Sequence, residues 1–330
     1  MTTTETSRPT TVSGDVSPNP APEQQQPRWR LIAGRVRHWV APPRGGDALP
    51  PPSALATTVV TALAMLSLIA IWLLVYAIGL SAIQERSAQH RLYASIRQSL
   101  AEEVAPFGGA IEPGTPIAVM TAPEAGLRRV VVVEGTTAGV MRDGPGHQQN
   151  TALPGQAGVS VVMGRSVTFG APFRHVASLH VGDPITVTTG QGVFTYTVTD
   201  VRGNGDPLPP TLAATASRLT LVTSRGSGWR SGWAPGSPVF VDATMKGHVQ
   251  PAPSGRPTTI ATSATEMHSD TGGLVPLVLW LQVLLLVAAG VVWANARWGR
   301  WQAWLAGAPL VLVVLWLISS ETLRLLPNLV

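Results

Sequence analysis

Three stretches without a single charged residue, Leu55–Leu80, Leu274–Ala294 and Trp301–Ser320, constrain this chain more than anything else in it. A helix of about 20 apolar residues crosses a hydrocarbon layer of roughly 30 Å, and in lipid a helix is one of the few structures that satisfies its own backbone. The three runs therefore predict one N-terminal and two C-terminal transmembrane helices. Arg28, Arg30, Arg35, Arg37 and Arg44 precede the first run, and Arg297 and Arg300 lie in the Asn295–Arg300 turn between the other two. Basic residues stay preferentially on the cytoplasmic side. Both clusters thus predict a multi-pass plasma-membrane protein with a cytoplasmic N-terminus and an extracytoplasmic segment after Leu80. Trp293, Trp298, Trp301 and Trp304 surround the same turn, as an interfacial aromatic belt does.

The segments flanking the first span differ in kind. Residues 1–52 are rich in Thr, Ser, Pro and Gln and contain little that can be buried, so they read as a disordered cytoplasmic tail. They lack the charged start and apolar core of a signal peptide. Within the tail, residues 28–40 place Trp29, Ile32, Val36, Trp39 and Val40 on one helical face, with arginines between them. This is either an amphipathic segment lying on anionic lipid through Arg28, Arg30, Arg35 and Arg37 or a flexible basic tail. After the span, residues 83–104 carry Leu92, Ile96, Leu100 and Val104 at helical spacing and read as a juxtamembrane helix.

Residues 115–246 change character. Val130–Val133, Val159–Met163, Ile185–Thr189, Val193–Val201, Leu219–Thr223 and Val239–Val241 are short β-branched runs punctuated by Gly, Pro, Asp and Asn. Such spacing indicates a mainly β, closed or sandwiched fold. Residues 247–273, rich in Ser, Thr and Pro, read as a linker before spans 274–294 and 301–320. The chain has no cysteine, which excludes disulfides, thiolate metal sites and thiol nucleophiles. Asp200, Asn204 and Asp206 frame a glycine turn without calcium-loop spacing. No metal or cofactor is expected, and the basic tail sits in no nucleic-acid-binding fold.

Several motifs then recur in a fixed order: Ala125-Gly126-Leu127, Val131-Val132-Val133-Glu134-Gly135-Thr136, Gly144-Pro145-Gly146-His147, Thr151-Ala152-Leu153-Pro154-Gly155-Gln156, Phe169-Gly170-Ala171-Pro172-Phe173 and Leu219-Thr220-Leu221-Val222-Thr223. On these residues the region from about Thr115 to Met245 resembles the sortases, most closely the class E-type enzymes of Gram-positive actinobacteria. The resemblance implies an eight-stranded β-barrel. It also implies an enzyme that cleaves a sorting signal and joins the protein to a cell-surface amine, using a cysteine, a histidine and an arginine. The histidine position, after Gly164, is Arg165 here; the cysteine position is Ser224; the arginine position falls at Ser237 or Pro238.

These replacements bear on chemistry. A thiol ionises near pH 8.5, about a unit or two above neutrality, whereas a serine hydroxyl needs an adjacent base. Arg165 stays protonated and supplies none. The lost strand arginine removes a donor for the reacting carbonyl. A Ser224–His pair requires His147 or His175 within hydrogen-bond reach. His147 reads as a turn or packing residue, His175 and His180 as surface residues, and His248 and His268 as linker residues. The leading expectation is a membrane-anchored, catalytically inactive homologue that binds sorting-signal-like peptides or an active sortase. His147, Arg165, Ser166, Phe169, Ser224 and Arg225 would line its peptide groove. The alternatives are a serine-based transpeptidase or acyl hydrolase using Ser224, and a purely structural envelope protein.

Overall fold

The computed structural model describes residues 54–225 and 236–330. The tail 1–52, its basic segment 28–40 and the loop residues Trp229 and Arg230 lie outside the described residues. Eight strands form the central body: β1 (Pro116–Ala122), β2 (Leu127–Glu134), β3 (Gly146–His147), β4 (Gly158–Met163), β5 (Pro184–Thr189), β6 (Gly192–Gly203), β7 (Ser217–Arg225) and β8 (Ser237–Met245). They close into a barrel in the order β1-β2-β3-β4-β7-β8-β6-β5. The fold is thus mainly β and eight-stranded. Six of the strands contain the apolar runs visible in the sequence; β1 and β3 do not.

Alternation along the strands builds the core. Ile117, Val132, Val162, Ile185, Tyr196, Leu219, Leu221 and Val241 point inward and pack together. Strand β7 is buried on both faces, because Val222 faces outward against Met141, Met163 and Leu329. That double burial explains its nearly continuous apolar run. Two pairings are parallel, β2 with β3 and β4 with β7. The short β3 passes so near the β2 end that a Cβ on Gly146 would lie 2.1 Å from the Gly135 carbonyl oxygen. Only glycine fits there.

Four helices flank the barrel: α1 (Ala54–Val75), α2 (Ser81–Ala101), α3 (Leu274–Trp298) and α4 (Arg300–Arg324). A five-residue π-helical segment, Tyr76–Leu80, joins α1 to α2. Among the described residues three helices, one of them this joined run, are long and apolar enough to cross a membrane. The expected division into a span at 55–80 and a separate helix at 83–104 is replaced by continuous helical backbone, and α2 ends at Ala101. Helix α2 lies against the barrel. Gln89 accepts from Val131 N–H at 2.8 Å and donates to Val131 O at 3.1 Å and Asp143 O at 2.9 Å, completing a strand-edge backbone with a side chain.

The Asn295–Arg300 turn contracts to Gly299 alone, whose φ of 103° a side chain would resist. Helix α4 meets the end of α1: the Tyr76 ring stands edge-on to Trp316 at 5.2 Å, and Trp72 Nε1 donates to Ser319 Oγ at 2.9 Å.

Residues 247–273 do not hang free as a linker would. Gln250 pairs with the Gly155–Ala157 backbone, Ala264 is buried, and Thr136 Oγ1 donates to Ala264 O at 2.5 Å. The segment runs along the barrel because its backbone groups find partners there.

Candidate functional site at the ends of strands β4 and β7

In the parallel β4–β7 pair, Met163 stands beside Val222, so the residues that follow leave the sheet at the same edge. Gly164 N–H donates to Val222 O at 2.9 Å, and Arg165 and Ser166 then lie next to Thr223 and Ser224. Gly164 needs to be glycine: a Cβ there would fall 2.2 Å from the Phe173 ring. Across the β7–β8 ladder, Ser224 faces Pro238 and Arg225 faces Ser237. The fold therefore brings Arg165, Ser166, Ser224, Ser237 and Pro238 to one edge of the barrel.

Ser224 is almost buried, and its hydroxyl lies 2.6 Å from Ser166 Oγ and 3.0 Å from Leu329 O. Ser166 Oγ is 3.1 Å from the same carbonyl, which also accepts from Ser166 N–H at 3.0 Å. The two hydroxyls have two protons for these three contacts, so one proton bridges them and the other goes to Leu329 O. No imidazole or carboxylate reaches Ser224 Oγ among the described residues. In this arrangement the serine pair donates to a carbonyl oxygen. Nothing withdraws its proton.

Arg165 is wholly buried. It donates to Met141 O at 3.3 Å, Ala138 O at 2.8 Å, Thr168 Oγ1 at 3.1 Å and Val330 O at 3.3 Å. Its guanidinium lies 4.9 Å above the centre of the Phe169 ring. No Asp or Glu side chain pairs with it among the described residues, and burial pushes its pKa down to about 9. The enclosed charge is held by oxygen acceptors, one of them on residue 330.

The expected groove is corrected on three residues. His147, Arg165 and Phe169 have no solvent exposure and line no open surface. Phe169 inserts between Tyr76 and Leu323, and its N–H donates to Ser81 Oγ at 3.0 Å. Ser166 and Ser224 do face the site. Arg225 is exposed on its rim, and its guanidinium donates to Ala177 O.

His147 belongs to a separate buried cluster. Its Nδ1 lies 3.0 Å from Glu134 Oε2, and its Nε2 lies 2.9 Å from Ala152 O and 3.1 Å from Thr151 Oγ1. Arg256 Nη2 donates to Glu134 Oε1 at 2.7 Å. Arg256 Nη2 also lies 3.2 Å from His147 Nδ1, so both ring nitrogens are engaged within this cluster and neither has Ser224 as a partner. The cluster ties residue 256 to the β2 end.

On the outer face of β4, β7 and β8, next to the serine pair, lies a cavity of about 330 Å³. Val161, Met163, Val222 and Phe240 form much of its wall. At its floor, Asp242 accepts from Arg202 Nε and Thr220 Oγ1, both at 2.6 Å. Sequence reasoning missed this pair, Thr168, and above all Leu329 and Val330, which no motif marks.

Comparison with known proteins agrees with this geometry. Residues 120–226 match the sortase domain family. Solved structures similar to the chain include the Sortase D5 transpeptidase of Clostridium perfringens, 23% identical over 49% of this chain and 99% of that one, with a TM-score of 0.40. A mutant of sortase E from Streptomyces avermitilis is 30% identical over 42% of this chain and 91% of that one, with a TM-score of 0.34. Sortase E1 from Streptomyces coelicolor, solved with a tripeptide in its active site, is 25% identical over 42% and 93%, with a TM-score of 0.35. No curated protein matches the chain. The barrel of this chain is therefore a sortase domain.

Proposed function

We propose that this is a membrane-anchored sortase-like protein that has lost transpeptidase chemistry and acts by binding, in the assembly of cell-surface proteins. In this reading the N-terminus is cytoplasmic, the barrel is extracytoplasmic, and the partners are sorting-signal-like peptides or an active sortase. The observation that carries it is the environment of Ser224: its hydroxyl meets a second hydroxyl and a carbonyl, with no base in contact. A serine-based transpeptidase needs a proton acceptor at that oxygen. His147 is committed to Glu134 and Ala152 instead.

The test uses the full chain in detergent micelles with sorting-signal peptides and an amine acceptor, followed by mass spectrometry. The expected result is neither transfer product nor acyl adduct. A product that disappears in Ser224→Ala overturns the proposal in favour of the serine enzyme. Saturable, sequence-dependent peptide binding without turnover separates a binding role from a purely structural one.

A further inference from the structure

The site at the β4 and β7 ends is not empty. Helix α4 ends at Arg324, and the chain turns so that residues 326–330 enter the cleft. Asn328, Leu329 and Val330 are buried. Asn328 N–H donates to His268 O at 2.9 Å, and its side-chain amide donates to Thr136 O at 2.8 Å and Thr265 O at 2.9 Å. The Leu329 side chain fills an apolar socket of Met141, Met163 and Val222, with Val161, Phe240 and Met267 at its edge. That socket shares Val161, Met163, Val222 and Phe240 with the open cavity beside it.

Main-chain recognition is equally complete. Leu329 O is met by Ser166 N–H and by the Ser166–Ser224 hydroxyl pair. Val330 O is met by Thr168 N–H at 3.3 Å, Thr168 Oγ1 at 2.5 Å and Arg165 Nη1 at 3.3 Å. A main-chain oxygen that gathers three donors, beside a side chain in a fitted socket, is held as a ligand is held. Without an occupant, these donors and the buried guanidinium face a water-poor cleft with partners missing, which costs free energy.

We infer that residues 326–330 are an intramolecular ligand of the sortase-domain cleft, closing it to other peptides until this segment withdraws. The inference rests on the binding role proposed above. The partner chemistry follows from the contacts: a turn-forming segment, in which Val330 N–H donates to Pro327 O at 3.1 Å, recognised through two successive main-chain oxygens, with a leucine on the first. A peptide from outside and residues 326–330 exclude one another, because both need the Ser166, Thr168 and Ser224 donors.

The experiment uses the full chain in micelles and a labelled peptide of residues 326–330, Leu-Pro-Asn-Leu-Val, capped at both ends. Binding is followed by fluorescence anisotropy. Leu329→Arg, which cannot occupy the socket, is expected to bind the probe at least tenfold more tightly than the unaltered chain. Ser166→Ala/Ser224→Ala in the same background is expected to lose most of that gain. Equal affinity in the unaltered chain and Leu329→Arg overturns the inference.

A second measurement guards against misfolding of the arginine variant. Because the chain has no cysteine, Leu329→Cys carries its only thiol. Maleimide should label it at least tenfold more slowly than Val193→Cys, whose position is exposed, and saturating probe peptide should accelerate the labelling. Fast labelling at position 329 without peptide, or a rate the peptide leaves unchanged, also overturns the inference. Peptide transfer by Leu329→Arg would instead sink the inactive reading and leave the occlusion standing.

Discussion

The barrel holds two buried polar clusters that resemble each other in composition and differ in what completes them. In Glu134–His147–Arg256 the charges are complementary, and each carboxylate oxygen has its own cationic or imidazole partner. In Arg165–Ser166–Ser224 no Asp or Glu side chain meets the guanidinium among the described residues, and all three side chains reach main-chain oxygens of the chain's own residues 329 and 330. The first cluster closes on itself and reads as architecture. The second closes only around an occupant. On the reading proposed above, a sortase scaffold keeps this site as a place for a peptide.

The largest effect should come from breaking the self-sufficient cluster. Glu134→Ala leaves Arg256 and His147 buried without their acceptor, a loss worth about 3–5 kcal/mol when one partner of a buried pair is removed. Denaturant unfolding of the full chain in micelles reads this directly. A cost below about 1 kcal/mol would erase the contrast between the two clusters.

Next in size is a pH effect on the occupied side. Glu85 on α2 lies beside Gly170, in the loop that also carries Phe169. Burial pushes its carboxyl up from 4.5 to about 7. The folded state thus holds the proton more tightly than the unfolded one. The associated stabilisation is fully present below pH 4.5 and is lost as pH rises through about 7, at most about 3 kcal/mol. Glu85→Gln should flatten the stability profile between pH 4.5 and 8. An unchanged slope in the variant would assign that pH dependence elsewhere.

The smallest effect belongs to Ser224→Ala. It removes one hydroxyl from a set of donors that still contains Ser166, so the expected loss is about 1 kcal/mol in unfolding free energy. A loss above about 3 kcal/mol would show that Ser224 is a structural keystone rather than one of several donors to an occupant.

Much of the barrel was legible because its central strands are local, β-branched and separated by turn residues. Arg165 and Ser224 could be singled out in the sequence because Gly164-Arg165 and Thr223-Ser224 sit inside contiguous motifs. Strand β1 escaped because Thr121 and the flanking Pro116 and Pro123 blur its alternation, and β3 because two residues carry no periodicity. The fate of His147 was hidden for another reason. Its neighbour Arg256 is 109 residues away, in a stretch whose composition says linker. Residues 326–330 were hidden most completely. They are bound largely through carbonyl oxygens, which every residue has, so the contact leaves little trace in the identity of the side chains.

The parallel pairing of β4 and β7 has one more consequence. Positions 165 and 224 are neighbours because the hydrogen-bond ladder delivers both strand ends to one edge in register. Their adjacency is written in the main chain and is indifferent to what either side chain carries. They are sockets with a fixed address, filled in this chain by arginine and serine. Exchange of the plugs leaves the wiring in place.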